Sequence, residues 1–408
     1  MAEQGKFAYL LMVSPGANNN KYYRMSANGD GSWTAEYGRV GSSPQRRTYA
    51  DNQWNTKYNE KIRKGYVDQT DLVRDIVSAE KPKGSSVYKP IEDQAIAEIV
   101  SRLQAMAKKA IDENYNISSN KVTQAMVDEA QTLITDLLSI TDVDLFNQTL
   151  LNLFTVIPRK MGNVKSFLAN SSDDFPKIIK SEQDLLDVMK GQVVQKAAES
   201  AIQTENSAAP QITILEAMGL MFEPCSPQDE KKIIDLLGDC AGNFKAAWRV
   251  KNLKTQEKFD QFCRQENITN RKLLWHGSRN ENWWSIINTG LVLRPTNAVI
   301  TGKMFGYGIY SATKARKSLG YTSLSGSYWS HGTSKTAFMA LMDLAYGKPY
   351  DVYSFDRKYS QLNYENLQKI SPGANCLHAH AGSMLRNDEI VVYREEQMTI
   401  KYLVELKP

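Results

Sequence analysis

Cysteine is scarce in this chain: Cys225, Cys240, Cys263 and Cys376 are the whole supply, far apart, with no C-x-x-C pair and no metal-ligand spacing. That excludes a disulfide framework, and a reducing compartment is the natural reading. Long apolar runs are missing too. Nothing approaches the roughly twenty residues a membrane helix needs, and residues 7–13 are too short for a secretory core and lack a cleavage site. An intracellular chain with no membrane partner is expected. Histidine is equally sparse: His331, His378 and His380 show no partner pattern, and the last two, spaced by one residue, read as loop residues rather than ligands. No metal is expected. There is no Gly-rich turn between a strand and a helix followed by an acid, so a Rossmann unit is not evident. Charge of one sign does not dominate either, because a net +5 is too mild by itself to point to nucleic acid.

What is present is an ordinary globular balance of 42% hydrophobic and 23% charged residues over 408 positions, room for roughly two to four domains. The charge is unevenly spread. Between residues 21 and 66 nine Lys or Arg (Lys21, Arg24, Arg39, Arg46, Arg47, Lys57, Lys61, Arg63, Lys64) face four acids (Asp30, Glu36, Asp51, Glu60), so the whole excess of five lies in this stretch. Tyr22, Tyr23, Trp33, Tyr37, Tyr49, Trp54, Tyr58 and Tyr66 are interleaved. Cations beside aromatic faces suit phosphate contact and stacking on an exposed base or sugar, although a merely solvated face would carry the same charge. Gly29-Asp30-Gly31 is a turn signal that makes the surrounding residues a hairpin. A helix is predicted over residues 49–63, burying Trp54, Tyr58 and Ile62 and leaving Lys57, Lys61 and Lys64 on a solvated face.

Residues 78–90 form a linker by composition. Beyond them the period turns helical. Ile91, Ala95, Ile99, Leu103 and Met106 make one stripe; Met126, Ala130, Leu133, Leu137 and Ile140 make another. Residues 145–154 and 185–194 make two more, the last with Ser181-Glu182-Gln183-Asp184 as a capped start. Such stripes predict a helical bundle. From about residue 208 strands take over, at 212–215, 273–275, 338–345, 350–355, 390–393 and 400–406, with helices at 228–237 and 282–287. The fold class is multidomain α+β with a mainly antiparallel sheet in the last part. The expected boundaries are 1–77, the 78–90 linker, 91–205 and 206–408.

Three strings in the last third carry chemistry: Leu274-Trp275-His276-Gly277-Ser278, Gly306-Tyr307-Gly308-Ile309-Tyr310, and Asp388-Glu389-Ile390-Val391-Val392-Tyr393. They supply a His, an exposed Tyr and one Glu, each at the edge of an apolar strand-like run. Gly277 lets the backbone approach a planar ligand, and Gly302, Gly306 and Gly308 do the same for phosphates and a ring. A carboxylate such as Glu389 can reach a cleft, stabilise an oxocarbenium-like sugar and orient an attacking hydroxyl. Taken singly, His276 reads as an ordinary histidine, Tyr310 and Tyr321 as half-buried strand aromatics and Glu389 as a solvated strand end. Their order and joint setting carry the signal.

Together the strings resemble the His, Tyr, Glu signature of the poly(ADP-ribose) polymerase family of ADP-ribosyltransferases. The resemblance implies NAD+ as substrate, with His276 on a ribose hydroxyl, the Gly277 backbone on the nicotinamide carboxamide, and Ser278 and Asn282 lining the adenosine side. Tyr310 would be one wall for nicotinamide. The family sets the second wall eleven residues on and three after a Ser, a spacing met by Lys317-Ser318-Leu319-Gly320-Tyr321, whose Ser318 hydroxyl would bond the carboxamide. A second Ser-x-x-Tyr runs from Ser325 to Tyr328, but the distance from Tyr310 and the Lys317 match favour Tyr321. Glu389 alone suffices as carboxylate, because nicotinamide leaves with its compensating charge. Ser311 stands where the family often carries an aromatic residue.

The basic N-terminal segment is similar to the WGR domain of DNA-dependent family members, with Tyr37 in place of the name-giving Trp before Gly38-Arg39. The resemblance implies DNA contact through Tyr37, Arg39, Lys57 and Lys61, with Arg39 touching DNA or relaying its presence. The string from Leu153 to Gly162 resembles the family's regulatory helical domain, which covers the NAD site until DNA binding loosens it; residues 112–121 lack the Gly and Leu-Ser turn usual there. The zinc fingers of larger members are excluded by the cysteines. The expected protein is a DNA-break-activated, NAD-dependent ADP-ribosyltransferase that forms polymer on itself and other proteins, nuclear if eukaryotic and otherwise in cytoplasm or nucleoid, with a possible accessory factor as further partner. The alternatives are transfer of a single unit to protein or nucleic-acid ends, and a DNA-binding scaffold with a degenerate cleft.

Overall fold

A period of two builds the N-terminal sheet. Strands β1 (Phe7–Ser14), β2 (Asn19–Ala27), β3 (Ser32–Arg39) and β4 (Gln45–Ala50) are followed by helix α1 (Trp54–Arg63), strand β5 (Val67–Asp68) and helix α2 (Thr70–Val77). This computed structural model describes residues 6–77, 88–116, 122–205, 212–293, 304–382 and 385–408, without the side chains of 74–77 and 200–205. Gly302, most of the 78–90 linker and part of the 112–121 segment lie outside the described residues. The five strands are antiparallel in the order β4-β3-β2-β1-β5. Asp30 closes the expected hairpin by accepting from the Ser32 amide at 3.0 Å and its hydroxyl at 2.6 Å. Leu10, Tyr23, Met25, Trp33 and Ala35 pack with Trp54 of α1 on one face.

The predicted 49–63 helix starts later, at Trp54, because the ladder to β3 keeps Tyr49 and Ala50 in β4. Trp33 stacks on Tyr49 at 4.7 Å between centroids. Ile62, expected in the buried face, is 38% exposed. Trp54 and Tyr58 dock α1 on the sheet, and the last turn runs past it.

The helical region comprises α3 (Gln94–Asn114), α4 (Gln124–Leu137), α5 (Val143–Val156) and α6 (Phe175–Glu205). In α3 the buried stripe is Ile96, Ile99, Val100, Leu103, Ala107 and Ile111; Ala95, predicted inside, is exposed. The side chains of Thr123 and Asp142 cap α4 and α5. α6 does not begin near Ser181. The box that caps its start is Ser171 with Asp174, and Pro176 stands in its first turn, so Ser181 is an interior residue.

The C-terminal α+β part runs α7 (Ile214–Met218), β6 (Leu220–Pro224), α8 (Pro227–Leu237), β7 (Phe244–Asn252), α9 (Leu253–Gln265), β8 (Arg271–Gly277), α10 (Trp283–Thr289), β9 (Ile309–Ala312), α11 (Ala315–Leu319), β10 (Ala337–Ala345), β11 (Pro349–Val352), α12 (Tyr364–Ile370), β12 (Cys376–Ala379), β13 (Glu389–Val392) and β14 (Met398–Leu406). The predicted strand at 212–215 is α7 instead, because Thr213 and Glu216 form a capping box and Gly219 ends the turn left-handed. Nine strands order as β11-β12-β13-β9-β8-β10-β14-β7-β6. All neighbours are antiparallel except β11 and β12. His378, read from sequence as a loop residue, lies on β12 and is buried; His380 follows that strand directly.

By contacts the chain divides into two compact units, Met1–Gly84 with Lys109–Val193, and Ser85–Lys108 with Val194–Pro408. Helices α3 and α6 therefore contribute residues to both. Among the described residues no helix is long and apolar enough to cross a membrane.

Candidate active site

The middle of the nine-stranded sheet is its weakest seam. Strands β8 and β9 share one rung, Trp275 with Ala312, whereas β8 pairs with β10 along its whole length. Two apolar clusters hold the parts on either side. Trp275, Met339, Leu341, Tyr402 and Val404 belong to one, and Phe305, Leu362, Leu377, Val391 and Tyr393 to the other. The three chemistry-bearing strings end at this seam, on β8, β9 and β13.

His276 follows Trp275 directly. Its Nδ1 donates to the carbonyl oxygen of Tyr310 at 3.1 Å, since a carbonyl can only accept, and Nε2 of the neutral ring is then an acceptor. Trp283 meets the imidazole edge-on at 6.4 Å. In the β9–β13 ladder Tyr310 lies opposite Val391 and Ala312 opposite Glu389. Alternation along both strands then puts the Tyr310 and Glu389 side chains on one face.

Tyr310 is not the exposed residue expected. It is largely buried against the Phe305, Val391 and Tyr393 cluster, accepts from the Phe305 amide at 3.0 Å and donates to the Gly306 carbonyl at 3.0 Å. Its ring is thereby fixed in orientation. Burial raises its hydroxyl well above the ordinary phenol range, opposed by the Phe305 amide and helped by the charge of Glu389. The Tyr321 hydroxyl is raised by burial and then by the same Glu389 charge. Tyr321 is 42% exposed and stacks on Trp329 at 6.2 Å; Tyr328 is 71% exposed and packs edge-on against the other ring at 4.6 Å.

Glu389 is buried, and its Oε1 is 2.6 Å from the Nζ of Lys317, itself largely buried on α11. The same Nζ reaches the Asn387 carbonyl at 3.4 Å. A buried carboxylate needs such a partner, because desolvation of an isolated charge costs several kcal/mol, of order. Lys317 is the functional neighbour that residue-type reasoning missed. In the sequence Lys317 serves only as the family match that favours Tyr321, with no link to Glu389.

Two expected roles look different in three dimensions. Gly277 is required first by the protein itself, for a Cβ there would overlap the carbonyl of Ser318. Gly306, at φ 73°, is likewise pressed against the backbone of Leu362 rather than held open for a ligand. The Ser318 hydroxyl donates to the Trp275 carbonyl at 3.0 Å. Asn282 donates to Ser278 Oγ at 3.0 Å, and its buried Oδ1 has no partner among the described residues, an acceptor suited to a ligand hydroxyl or amine.

The four candidates on β3 and α1 are also engaged. Tyr37 stacks on Tyr23 at 5.5 Å, and Lys57 pairs with Glu60 at 3.0 Å. Lys61 lies 4.3 Å over the Tyr23 ring and 5.6 Å from Tyr66, and burial lowers its ammonium. Arg39 donates to the carbonyls of Asn18 at 2.8 Å, Met161 at 2.9 Å and Gly162 at 2.7 Å. It therefore ties β3 to the loop after α5. Arg46 and Arg47, on the exposed edge strand β4, were not singled out from sequence.

Comparisons with known proteins agree in order with this architecture. The family model "WGR domain" matches residues 6–73, and the model "Poly(ADP-ribose) polymerase catalytic domain" matches residues 240–408. A protein named poly [ADP-ribose] polymerase-like 100L, from Invertebrate iridescent virus 6, is 32% identical over 178 residues, covering 43% of this chain and 91% of its own. Uncharacterised protein 101L of the same virus is 30% identical over 197 residues, 48% of this chain and 80% of its own. Poly [ADP-ribose] polymerase 2 of Arabidopsis thaliana is 22% identical over 378 residues, 81% of this chain and 57% of its own.

Proposed function

This chain belongs to the poly(ADP-ribose) polymerase family, and from that premise we propose that it is switched on by DNA breaks and builds ADP-ribose polymer on acceptor proteins, itself included. It is an NAD+ ADP-ribosyltransferase. What carries the proposal is the meeting of three strands at one seam, where His276 is bonded to the Tyr310 backbone and Glu389 is paired with Lys317 on the face that Tyr310 shares.

In this reading nicotinamide lies between Tyr310 and Tyr321, its carboxamide on the Gly277 backbone and the Ser318 hydroxyl. The Nε2 of His276 accepts from a ribose hydroxyl, and Ser278 and Asn282 meet the adenosine side. The bond from the ribose carbon to the nicotinamide nitrogen breaks, and nicotinamide departs neutral with the bonding electrons. The ribosyl cation left behind is stabilised by the Glu389 carboxylate, which Lys317 holds in position. The acceptor hydroxyl oxygen then bonds to that carbon and passes its proton to the carboxylate of Glu389, which also orients the hydroxyl of a growing chain.

Control by DNA is the second half of the proposal. Tyr37, Lys57 and Lys61 lie in the segment that carries the chain's basic excess, and Arg39 grips the loop after α5, so a DNA strand drawn to β3 and α1 acts on that loop.

The test is the purified chain with labelled NAD+, with and without nicked or broken duplex DNA, read for nicotinamide release and product length. Release that rises with DNA and yields long product is expected. Release without any DNA effect would remove the switch and keep the chemistry, single-unit product would leave a mono-transferase, and no release would leave a scaffold. Glu389→Gln should abolish elongation and slow nicotinamide release by about a hundredfold or more, the size of loss typical when one charge-stabilising group is removed.

A further inference from the structure

Toward the outer edge of the nine-stranded sheet, among residues given no role above, three potential ligands gather. β11 and β12 run parallel with Asp351 directly beside His378, and His380 follows His378 by two residues. Register alone thus puts three side chains on one face of the edge pair. Their donor atoms all lie within 4.8 Å of one another. Asp351 Oδ1 is 2.7 Å from His380 Nε2 and 3.9 Å from His378 Nδ1. Those separations bracket the distance of about 3.4 Å between ligands that sit on a tetrahedral ion at bond lengths of about 2.0–2.1 Å.

The surroundings are arranged as for ligands. His378 Nε2 is 3.2 Å from Asp388 Oδ2, and the other oxygen of that carboxylate accepts from the Ala381 amide at 2.8 Å. A carboxylate only accepts, so Nε2 carries the proton and Nδ1 is the nitrogen with the lone pair, as in a carboxylate-oriented metal histidine. The Tyr346 hydroxyl, 2.7 Å from that Nδ1, now donates where an ion would bind. The two imidazoles stack at 4.0 Å and Tyr353 stacks on His380 at 4.4 Å, so the half-buried His380 ring has to turn out of this stack for both lone pairs to meet one ion. Asp351 is exposed and His380 half-buried, so solvent reaches the cluster.

We propose that Asp351, His378 and His380 form a binding site for one zinc-class divalent ion, a two-histidine, one-carboxylate set with an open fourth position that pins β11 to β12 and orients Asp388. The donor types select a borderline cation such as Zn2+ or Co2+ over Mg2+ or Ca2+, which prefer all-oxygen shells. Because Asp388 directly precedes Glu389, occupancy would also hold the start of β13.

The test uses the full chain, stripped with chelator and titrated with zinc chloride by calorimetry without NAD+ or DNA, with cobalt absorption as a second readout. Saturable uptake of one ion and a visible cobalt spectrum typical of four-coordination are expected. His380→Asn and Asp351→Asn should each remove the saturable phase, Asp388→Asn should weaken it by about 10–100-fold as loss of an outer-shell partner does, and His331→Ala should leave it unchanged. Absence of saturable uptake, or uptake unchanged in both His380→Asn and Asp351→Asn, would overturn the proposal. Circular dichroism of each variant separates loss of ligand from loss of fold, and none of these readouts depends on transferase activity.

Discussion

Tyr321 and Tyr328 each follow a Ser by three residues, yet they sit in different electrostatic surroundings. Burial and then the Glu389 charge raise the Tyr321 hydroxyl, whereas Tyr328 is exposed and packs edge-on against Trp329. Stacking of an aromatic pair is worth about 0.5–1.5 kcal/mol beyond its buried area. Tyr321→Ala should therefore raise the KM for NAD+ by several-fold to about tenfold, while Tyr328→Ala leaves it within about twofold. Steady-state kinetics on the two variants decides between them, and the reverse order would move the nicotinamide wall to Tyr328. The spacing in the sequence could rank these two residues, but the carboxylate beside only one of them is a property of the folded strands.

At the level of elements, the loop after α5 is held from both sides. Asn20 donates to the Arg159 carbonyl at 2.9 Å, Arg39 to those of Met161 and Gly162, and Lys160 takes its amide to Asn114 at 2.8 Å. Of these only the Arg39 bonds are charge-assisted, a kind that contributes about 1.5–3 kcal/mol each. Arg39→Ala is expected to lower stability by about 2–3 kcal/mol in denaturant unfolding and to blunt the response to DNA with basal turnover retained. Equal loss of basal and DNA-stimulated turnover would reduce Arg39 to a structural tie. Strand β14 offers a pH test. Burial alone would raise Glu405, but bonds from Arg102, Thr336 at 2.7 Å and Lys245 at 3.0 Å outweigh it and hold the carboxyl below its ordinary range. The folded value is lower than the unfolded value of about 4.3, so this stabilisation is present above that pH and is lost as pH falls through the folded value. Denaturation midpoints measured from neutral to acid should show a steep acid limb that Glu405→Gln flattens; an unchanged limb would assign it to other carboxylates.

For the whole molecule the deciding quantity is where charge lies rather than how much there is. The net +5 is confined to the basic stretch of the N-terminal sheet and α1. Binding to nicked duplex should weaken steeply between about 50 and 200 mM salt, with a slope in log K against log salt near −0.9 per phosphate contacted. Arg47→Ala, on the exposed edge strand β4, should reduce that slope by about one contact. DNA-independent turnover should not follow this salt dependence. A flat salt profile would remove nucleic acid as the activating partner.

The chain's own text marked a basic hairpin-and-helix segment, a helical region and an α+β end, because periods of two and 3.6 and the local excess of Lys and Arg are linear properties. It also marked His276, Tyr310 and Glu389, whose strings are contiguous. Capping contests such as Ser171 against Ser181, the helix in place of a strand at Thr213, and the burial of Tyr310 were settled by packing and by which hydrogen bonds compete successfully in the folded chain. The Lys317–Glu389 pair and the Asp351, His378 and His380 cluster were decided by tertiary structure alone, since strand order and register bring together residues that no spacing in the sequence connects.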